Sequence, residues 1–246
     1  NREYIIEIVY EKEEINLNLN IDNFISIDIG LDNLATITSN KGMPLIVNGR
    51  LLKSINQYFN KEKSRLQSFI DDKGTSRKIV RLANKRNKKV SDYLHNASRY
   101  IINNCIQNDI GKIIIGKNKQ WKSGIEIGKV NNQNFVSVPH AEFIQMIEYK
   151  AKLIGIEVIL TEESYTSKCS FIDDEKICKH ENYLGRRIKR GLFRTFNNIA
   201  INADVNASFN IARKVIPRFN VKELDEGIEG FVVNPVRINP YKLKSS

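Results

Sequence analysis

The chain has 246 residues, with 39 Lys and Arg against 28 Asp and Glu, for a formal net charge of +11. It is long enough to bury a substantial core and cationic enough to favour a polyanionic partner, nucleic acid first among them. No apolar run approaches the ~20 residues of a membrane span, and Cys105, Cys169 and Cys178 are too few and too irregularly spaced for a disulfide framework, which fits a reducing, cytoplasmic compartment.

In chain order, residues 3–10 ("EYIIEIVY") alternate as a strand, and the lack of a leading Met points to an absent N-terminal portion. Residues 24–38 ("FISIDIGLDNLATIT") read as a strand, a turn and a second strand. Ile25, Ile27 and Ile29 point one way and Ser26 and Asp28 the other, so Asp28 ends a buried strand on the face away from the isoleucines. A carboxylate there is costly unless a cation lies nearby.

Residues 51–72 read as a helix, Gly74 breaks it, and 75–107 form a second, longer one. In the second helix Ile79, Ala83, Val90, Leu94, Ala97, Ile101 and Cys105 recur at helical spacing, while Arg77, Arg81 and Lys85 belong to a cationic face. "KIIIG" at 112–116 is a short apolar strand, followed by a polar loop that carries Trp121. An amphipathic helix over 139–154, capped by Gly155, leads into a strand at 156–163 that ends in Glu162 and Glu163. Residues 164–198 read as irregular. A brief strand then enters a helix that begins near Asp204, where Ala203, Val205 and Ala207 are small enough for close packing. The stretch after Pro217 lacks periodicity. Strands alternating with helices indicate an α/β fold with a mixed sheet.

Asp28, the Glu162/Glu163 pair and Asp204 all sit at element ends. Singly they could be a turn residue, a solvated strand end and a charge favoured at a helix N-terminus. Gathered at one end of a sheet they would repel unless hard cations neutralised them. Mg²⁺ takes oxygen ligands and retains waters, and two such ions ~3.5–4 Å apart can align an attacking water with a leaving oxygen at a phosphodiester. Arg50, Lys53, Gln57 and Lys61 crowd the first helix beside Tyr58. Lys117, Lys119 and Lys122 surround Trp121, and Arg186, Arg187, Lys189 and Arg190 fill "GRRIKRGLFR". These are candidate nucleic-acid contacts, the cations meeting phosphates and Trp121 stacking on a base.

"SIDIGLDNLATIT", "NGRLLKSINQYFNKEKSRLQS", "GKNKQWK", "ESYTSKCSFID", "GRRIKRGLFRT" and "INADVNASFNIARK" resemble, in order and content, the RuvC-like nuclease region of the TnpB/OrfB family of small bacterial insertion sequences. These proteins are relatives of compact type V CRISPR effectors. The resemblance covers roughly residues 3–214. It implies an RNase H-like mixed sheet flanked by helices, a guide RNA from the transposon end, and cleavage of guide-matched target DNA with Mg²⁺ or Mn²⁺. It also implies that residues 1–20 end a recognition portion, 21–216 form the nuclease domain with an insertion at 164–198, and 217–246 form a tail.

By the same resemblance, Asp28 and Asp204 match the first and last catalytic, metal-holding carboxylates. The middle glutamate usually follows the strand equivalent to "KIIIG", where this chain has Gly116. A subgroup moves it to the strand before "YTSK", which makes Glu163 the expected third ligand, with Glu162 as its alternative. The family's paired C-x-x-C zinc ribbon is missing. Only Cys169, Cys178 and His180 occupy that interval, so no structural zinc is expected. Packing of Phe171, Ile172, Tyr183, Leu184, Leu192 and Phe193 is expected to hold the segment instead. Two alternatives stay open at this point: a guided DNA-binding protein that no longer cuts, and a guide-independent RNase H-like nuclease. No membrane partner is implied, the location is the bacterial cytoplasm, on the nucleoid when bound to DNA, and nothing in the sequence sets an oligomeric state.

Overall fold

The structure is a computed structural model that describes residues 6–70, 74–117, 138–224 and 232–241. Strands β1 (Phe24–Ile29), β2 (Asn33–Ser39), β3 (Leu45–Asn48), β4 (Lys112–Gly116), β5 (Glu157–Thr161) and β9 (Val236–Ile238) form one six-stranded sheet in the order β5-β4-β1-β2-β3-β9. β1, β4 and β5 run parallel, β2 runs antiparallel to β1 and β3, and β9 runs parallel to β3.

One face of the sheet is covered by α1 (Arg50–Gln67), α2 (Arg77–Gln107) and α3 (His140–Lys152). Ile25, Ile27, Ile113 and Ile115 pack there against Leu52, Leu94, Ile101, Phe143 and Ile147. The strand period of two sends Phe24 and Ile114 to the opposite face, where α4 (Ala203–Val215) packs with Phe171, Phe193 and Phe209. This side is polar at its centre. Ser26 Oγ donates to Ser208 O at 2.7 Å, Ser208 Oγ donates to Ser26 O at 2.9 Å, and the Thr38 and Ser208 hydroxyls lie 3.0 Å apart. Small side chains let α4 approach β1 closely, and these bonds satisfy the polar atoms that the approach buries. Asp28 shares that face, so the sequence pattern positions it correctly.

Three expectations change. Residues 6–10 belong to no strand, and Ile6, Ile8, Val9 and Tyr10 are 76–93% exposed. Alternation establishes which side chains would share a face, but a strand also needs a partner, and none of the described residues supplies one. The chain touches the fold only later, where Ile15 and Leu17 donate from their backbone nitrogens to Leu153 and Ile154 oxygens. Within the stretch read as irregular, β6 (Arg186–Lys189) and β7 (Leu192–Arg194) form a hairpin, and β8 (Ala200–Asn202) completes a second, three-stranded antiparallel sheet. Gly191, at φ +77°, turns that hairpin. The unassigned C-terminal stretch returns as β9 at the edge of the main sheet.

Lys150 on α3 is 3% exposed, and its ammonium donates to His95 O at 3.0 Å and to Ser98 Oγ. Burial, helped by the like charge of Arg99, pushes its pKa down to about 8. The unfolded value lies near 10.4, so between these limits the unfolded chain binds more protons and stability rises with pH. Lys150→Met is therefore expected to raise the melting temperature by about 2–4 °C at pH 7. Its advantage should fade as pH climbs from 8 towards 10.4, which thermal melts across that range would measure.

Candidate active site

Asp28 ends β1 and faces Thr36 across the β1–β2 pair. Asp204 enters from α4, whose N-cap Asn202 accepts from the Asp204 and Val205 backbone nitrogens at 3.0 and 3.2 Å. That cap starts the helix at Ala203, and Asp204 lines a cleft of about 730 Å³ that Asp28 also lines. The third carboxylate comes from just beyond β5. A Cβ added to Gly116, at the end of β4, would lie 3.1 Å from Glu163 Oε2 and 2.6 Å from Ile211 Cδ1. The bare backbone of Gly116 thus leaves room for the Glu163 carboxylate.

The three are electrostatically coupled. Burial first, then the charges of Asp204 and Glu163, hold the Asp28 carboxyl well above the usual carboxylate range, and Arg187 opposes them. Glu162 turns elsewhere. It accepts from Ser164 Oγ at 2.9 Å and lies 3.7 Å from the Lys214 ammonium.

As placed, the protein's own donors occupy Asp204. Asn33 Nδ2 donates to Oδ2 at 2.7 Å and Arg187 Nη2 to Oδ1 at 3.1 Å. Arg190 pairs with Asp32, which also accepts from Lys53 Nζ at 3.1 Å. Among the described residues no three Asp, Glu, His or Cys side chains converge tightly enough to hold a metal ion. The donor set nonetheless fits a hard divalent cation: it is all oxygen, it carries mutual repulsion, and it has a glycine cradle beside one member. A cation taking Asp204 Oδ1 would have to displace Arg187.

Of the sequence's candidate contacts, Arg50, Arg187 and Arg190 line the cleft, and Lys53 is drawn to Asp32. Gln57, Lys61, Arg77, Arg81, Lys85, Lys117, Arg186 and Lys189 are exposed away from it. Lys119, Trp121 and Lys122 lie outside the described residues. Sequence reasoning missed Asp32, Asn33 and Arg237. The first two are legible in "GLDN" as the turn after a strand-end aspartate. Arg237, which donates to Asn33 Oδ1 at 2.7 Å, arrives on β9 without a local signal.

It also missed what holds residues 166–184. Asn206, Asn210 and Arg213 project from one face of α4. Asn206 accepts from Phe171 N at 2.9 Å, Asn210 donates to Cys169 O at 2.7 Å, and Arg213 donates to Glu175 O at 3.0 Å. Glu175 in turn accepts from Ser170 and Leu184 backbone nitrogens. Cys169 Sγ faces backbone carbonyls, and Cys178 Sγ lies 3.4 Å from His180 Nε2. Of the expected packing residues, Phe171 and Phe193 are buried and Phe171 stacks on Phe209 with centroids 4.4 Å apart. Leu184, at 45% exposed, is not part of the packing.

The fold is a six-stranded mixed sheet flanked by helices, with carboxylates at the ends of β1 and β5 and at the start of α4. It is shared with a solved Cas12f1–sgRNA–target DNA complex (TM-score 0.61, 20% identity, 78% of this chain and 50% of that one) and a CRISPR–Cas12f ternary complex (TM-score 0.59, 18% identity, 83% and 40%). The OrfB_IS605 family profile, described as "Probable transposase", matches residues 7–122, and that of the Cas12f1-like TNB domain matches 140–211. TnpB-like protein MJ0751 of Methanocaldococcus jannaschii is 28% identical over 209 residues, 79% of this chain and 70% of its own. TnpB-like protein ORF457 of Acidianus two-tailed virus is 23% identical over 229 residues, 88% of this chain and 47% of its own. By these matches the chain is TnpB-like. It spans half or less of the solved chains and of the viral relative. No helix among the described residues is long and apolar enough to cross a membrane.

Proposed function

We propose that the protein is an RNA-guided DNA endonuclease in which Asp28, Glu163 and Asp204 hold Mg²⁺ or Mn²⁺. The observation that carries this reading is the Glu163 carboxylate beside Gly116, charge-coupled to Asp28, which is in turn coupled to Asp204. Bound metal would supply an activated water and stabilise the leaving oxygen of the phosphodiester. The chain's own part is to fix three carboxylates from different elements: β1 orients Asp28, the Asn202 cap and Asn33 orient Asp204, and the β5 end carries Glu163. Residues 21–216 would be the nuclease domain, 1–20 the end of a recognition portion and 217–246 a tail whose Arg237 buttresses Asn33. Guide RNA from the transposon end and matched DNA would lie along the exposed cations of α1, α2 and the β6–β7 hairpin, which suit backbone and shape recognition. The Cas12f1 neighbours solved with sgRNA and target DNA support this choice of partners.

The Arg187–Asp204 pair favours a second reading, a guided binding protein that does not cut, if the pair survives on DNA. The two readings separate on Arg187→Ala. In the nuclease reading, removing a competitor for Asp204 Oδ1 lowers the Mg²⁺ concentration for half-maximal cleavage several-fold while weakening DNA affinity. Plasmid cleavage by the full-length protein, purified with RNA transcribed from its flanking DNA, tests the whole proposal. Cutting that follows the guide supports it. Cutting that persists after the RNA is digested would make the protein a guide-independent nuclease.

A further inference from the structure

Away from the carboxylates, α1 and α2 enclose a second cleft of about 380 Å³. Leu51, Ile55, Tyr58 and Phe59 of α1 and Leu82 of α2 give it apolar and aromatic walls, and Lys85, Arg86 and Lys89 form its rim. It shares Lys85 and Lys89 with an adjoining cleft that adds Arg81 and Lys88, and neither cleft is lined by an Asp or Glu. Arg86 is braced by its Nε–H to Asn56 Oδ1 at 2.7 Å, and its guanidinium carbon lies 5.9 Å from the Phe59 ring centroid. Tyr58 is 63% exposed, so an aromatic ring stands open to solvent beside a cationic rim.

An aromatic wall inside such a rim matches a flat π-system that carries negative charge at its edge. We propose that this cleft holds one unpaired nucleotide of the DNA strand on its way to the carboxylates, with its base on Tyr58 and its flanking phosphates on Lys85 and Lys89. The inference rests on the nucleic-acid reading above and deepens it.

Two observations favour the substrate strand over another occupant. Consecutive residues Arg50 and Leu51 line the two clefts, so both clefts border the start of α1. Tyr58 lies eight residues beyond Arg50 on the same helix, ~12 Å at 1.5 Å per residue, within reach of a strand whose scissile phosphate sits at Asp28 and Asp204. The lining also offers no acidic group to pair with the basic side chains of a protein segment. Stacking supplies grip without sequence choice, because every base has a π-face. An unstacked nucleotide held here would fix the strand's register over the carboxylates while leaving sequence to base pairing.

The test is binding by the full-length protein in EDTA, read by fluorescence anisotropy, of three probes: a short oligothymidylate, an abasic phosphodiester of equal length, and an oligouridylate. Tyr58→Ala is expected to weaken oligothymidylate binding by about 5- to 100-fold, to leave the abasic strand within about twofold, and to be rescued by Tyr58→Phe. Lys85→Ala should weaken both DNA probes alike and flatten their salt dependence. Equal effects of Tyr58→Ala on thymidylate and abasic strands would overturn the proposal, leaving the cleft to a protein segment. A dependence on Tyr58 confined to oligouridylate would overturn the assignment to DNA. Failure of the unmutated protein to bind any probe would instead sink the nucleic-acid reading on which the proposal rests. Melts of Tyr58→Ala should match the parent, since the ring is exposed.

Discussion

Asp204→Ala and Glu163→Gln are each expected to reduce Mg²⁺-dependent plasmid cleavage by on the order of a thousandfold or more, about 4 kcal/mol of transition-state stabilisation, with RNA and DNA binding kept. Asp204 is held by two protein donors, Asn33 and Arg187, so its geometry is set before any cation arrives. Asp204→Ala removes a proposed metal ligand and also deprives Arg187 of its carboxylate partner. Glu163→Gln is isosteric, so its effect isolates charge. Glu162→Gln is the internal control. Its carboxylate faces Ser164 and Lys214, and its loss should change cleavage by less than about threefold. Equal losses in Glu162→Gln and Glu163→Gln would move the third ligand or remove it. Loss of cleavage together with loss of RNA binding would point to unfolding.

The second large effect concerns Gly49, between β3 and α1. Its φ of −89° is open to any residue, so the constraint is space. A Cβ there would lie 2.0 Å from Leu31 O, in the turn between β1 and β2, and 3.0 Å from Leu34 N, in the first residues of β2, both backbone atoms. That turn carries Asp32 and leads into Asn33 at the start of β2, and Gly49 N donates to Asp32 O at 2.9 Å. Backbone cannot rotate aside as a side-chain tip can, so Gly49→Ala must push the turn away from α1. The expected cost is on the order of 3 kcal/mol, the upper range for overpacking, with a fall in melting temperature and a loss of cleavage as Asn33 is drawn off Asp204. A melting curve and cleavage rate like the parent's would show that the turn yields freely and that its position does not matter to the site.

The legible parts of this molecule are those where side-chain period and burial agree. The isoleucines of β1 and β4 and the heptad-like apolar run of α2 place the main sheet and its helical cover. Asp28 and Asp204 stand out as charges at the ends of apolar elements, and the resemblance directed attention to Glu163 because Gly116 stood where a glutamate was expected. What stayed hidden depends on partners distant in sequence. β9 gains its meaning only from β3, the hairpin β6–β7 from β8, and residues 6–10 alternate without any described strand to pair with. The clamp made by Asn206, Asn210 and Arg213 looks from sequence like the solvated face of a helix. Only tertiary structure reveals that it satisfies the backbone of the segment that the family profile places in the Cas12f1-like TNB domain. Arg187 is the instructive case. As one of a run of exposed cations it reads as a phosphate contact, yet the fold turns it onto Asp204, since an acidic cleft attracts the nearest mobile cation.

The central claim is that Glu163 completes a metal site with Asp28 and Asp204. The measurement that addresses it most directly is Mn²⁺ binding, followed by the loss of the free-ion electron paramagnetic resonance signal on titration into the full-length protein and its Glu163→Gln, Glu162→Gln and Asp204→Asn variants. The predicted result is saturable Mn²⁺ binding by the parent and by Glu162→Gln, weakened at least tenfold in Glu163→Gln and Asp204→Asn. Parent and Glu163→Gln binding Mn²⁺ equally well would contradict it, and would leave the glutamate beside Gly116 as packing without a part in the chemistry.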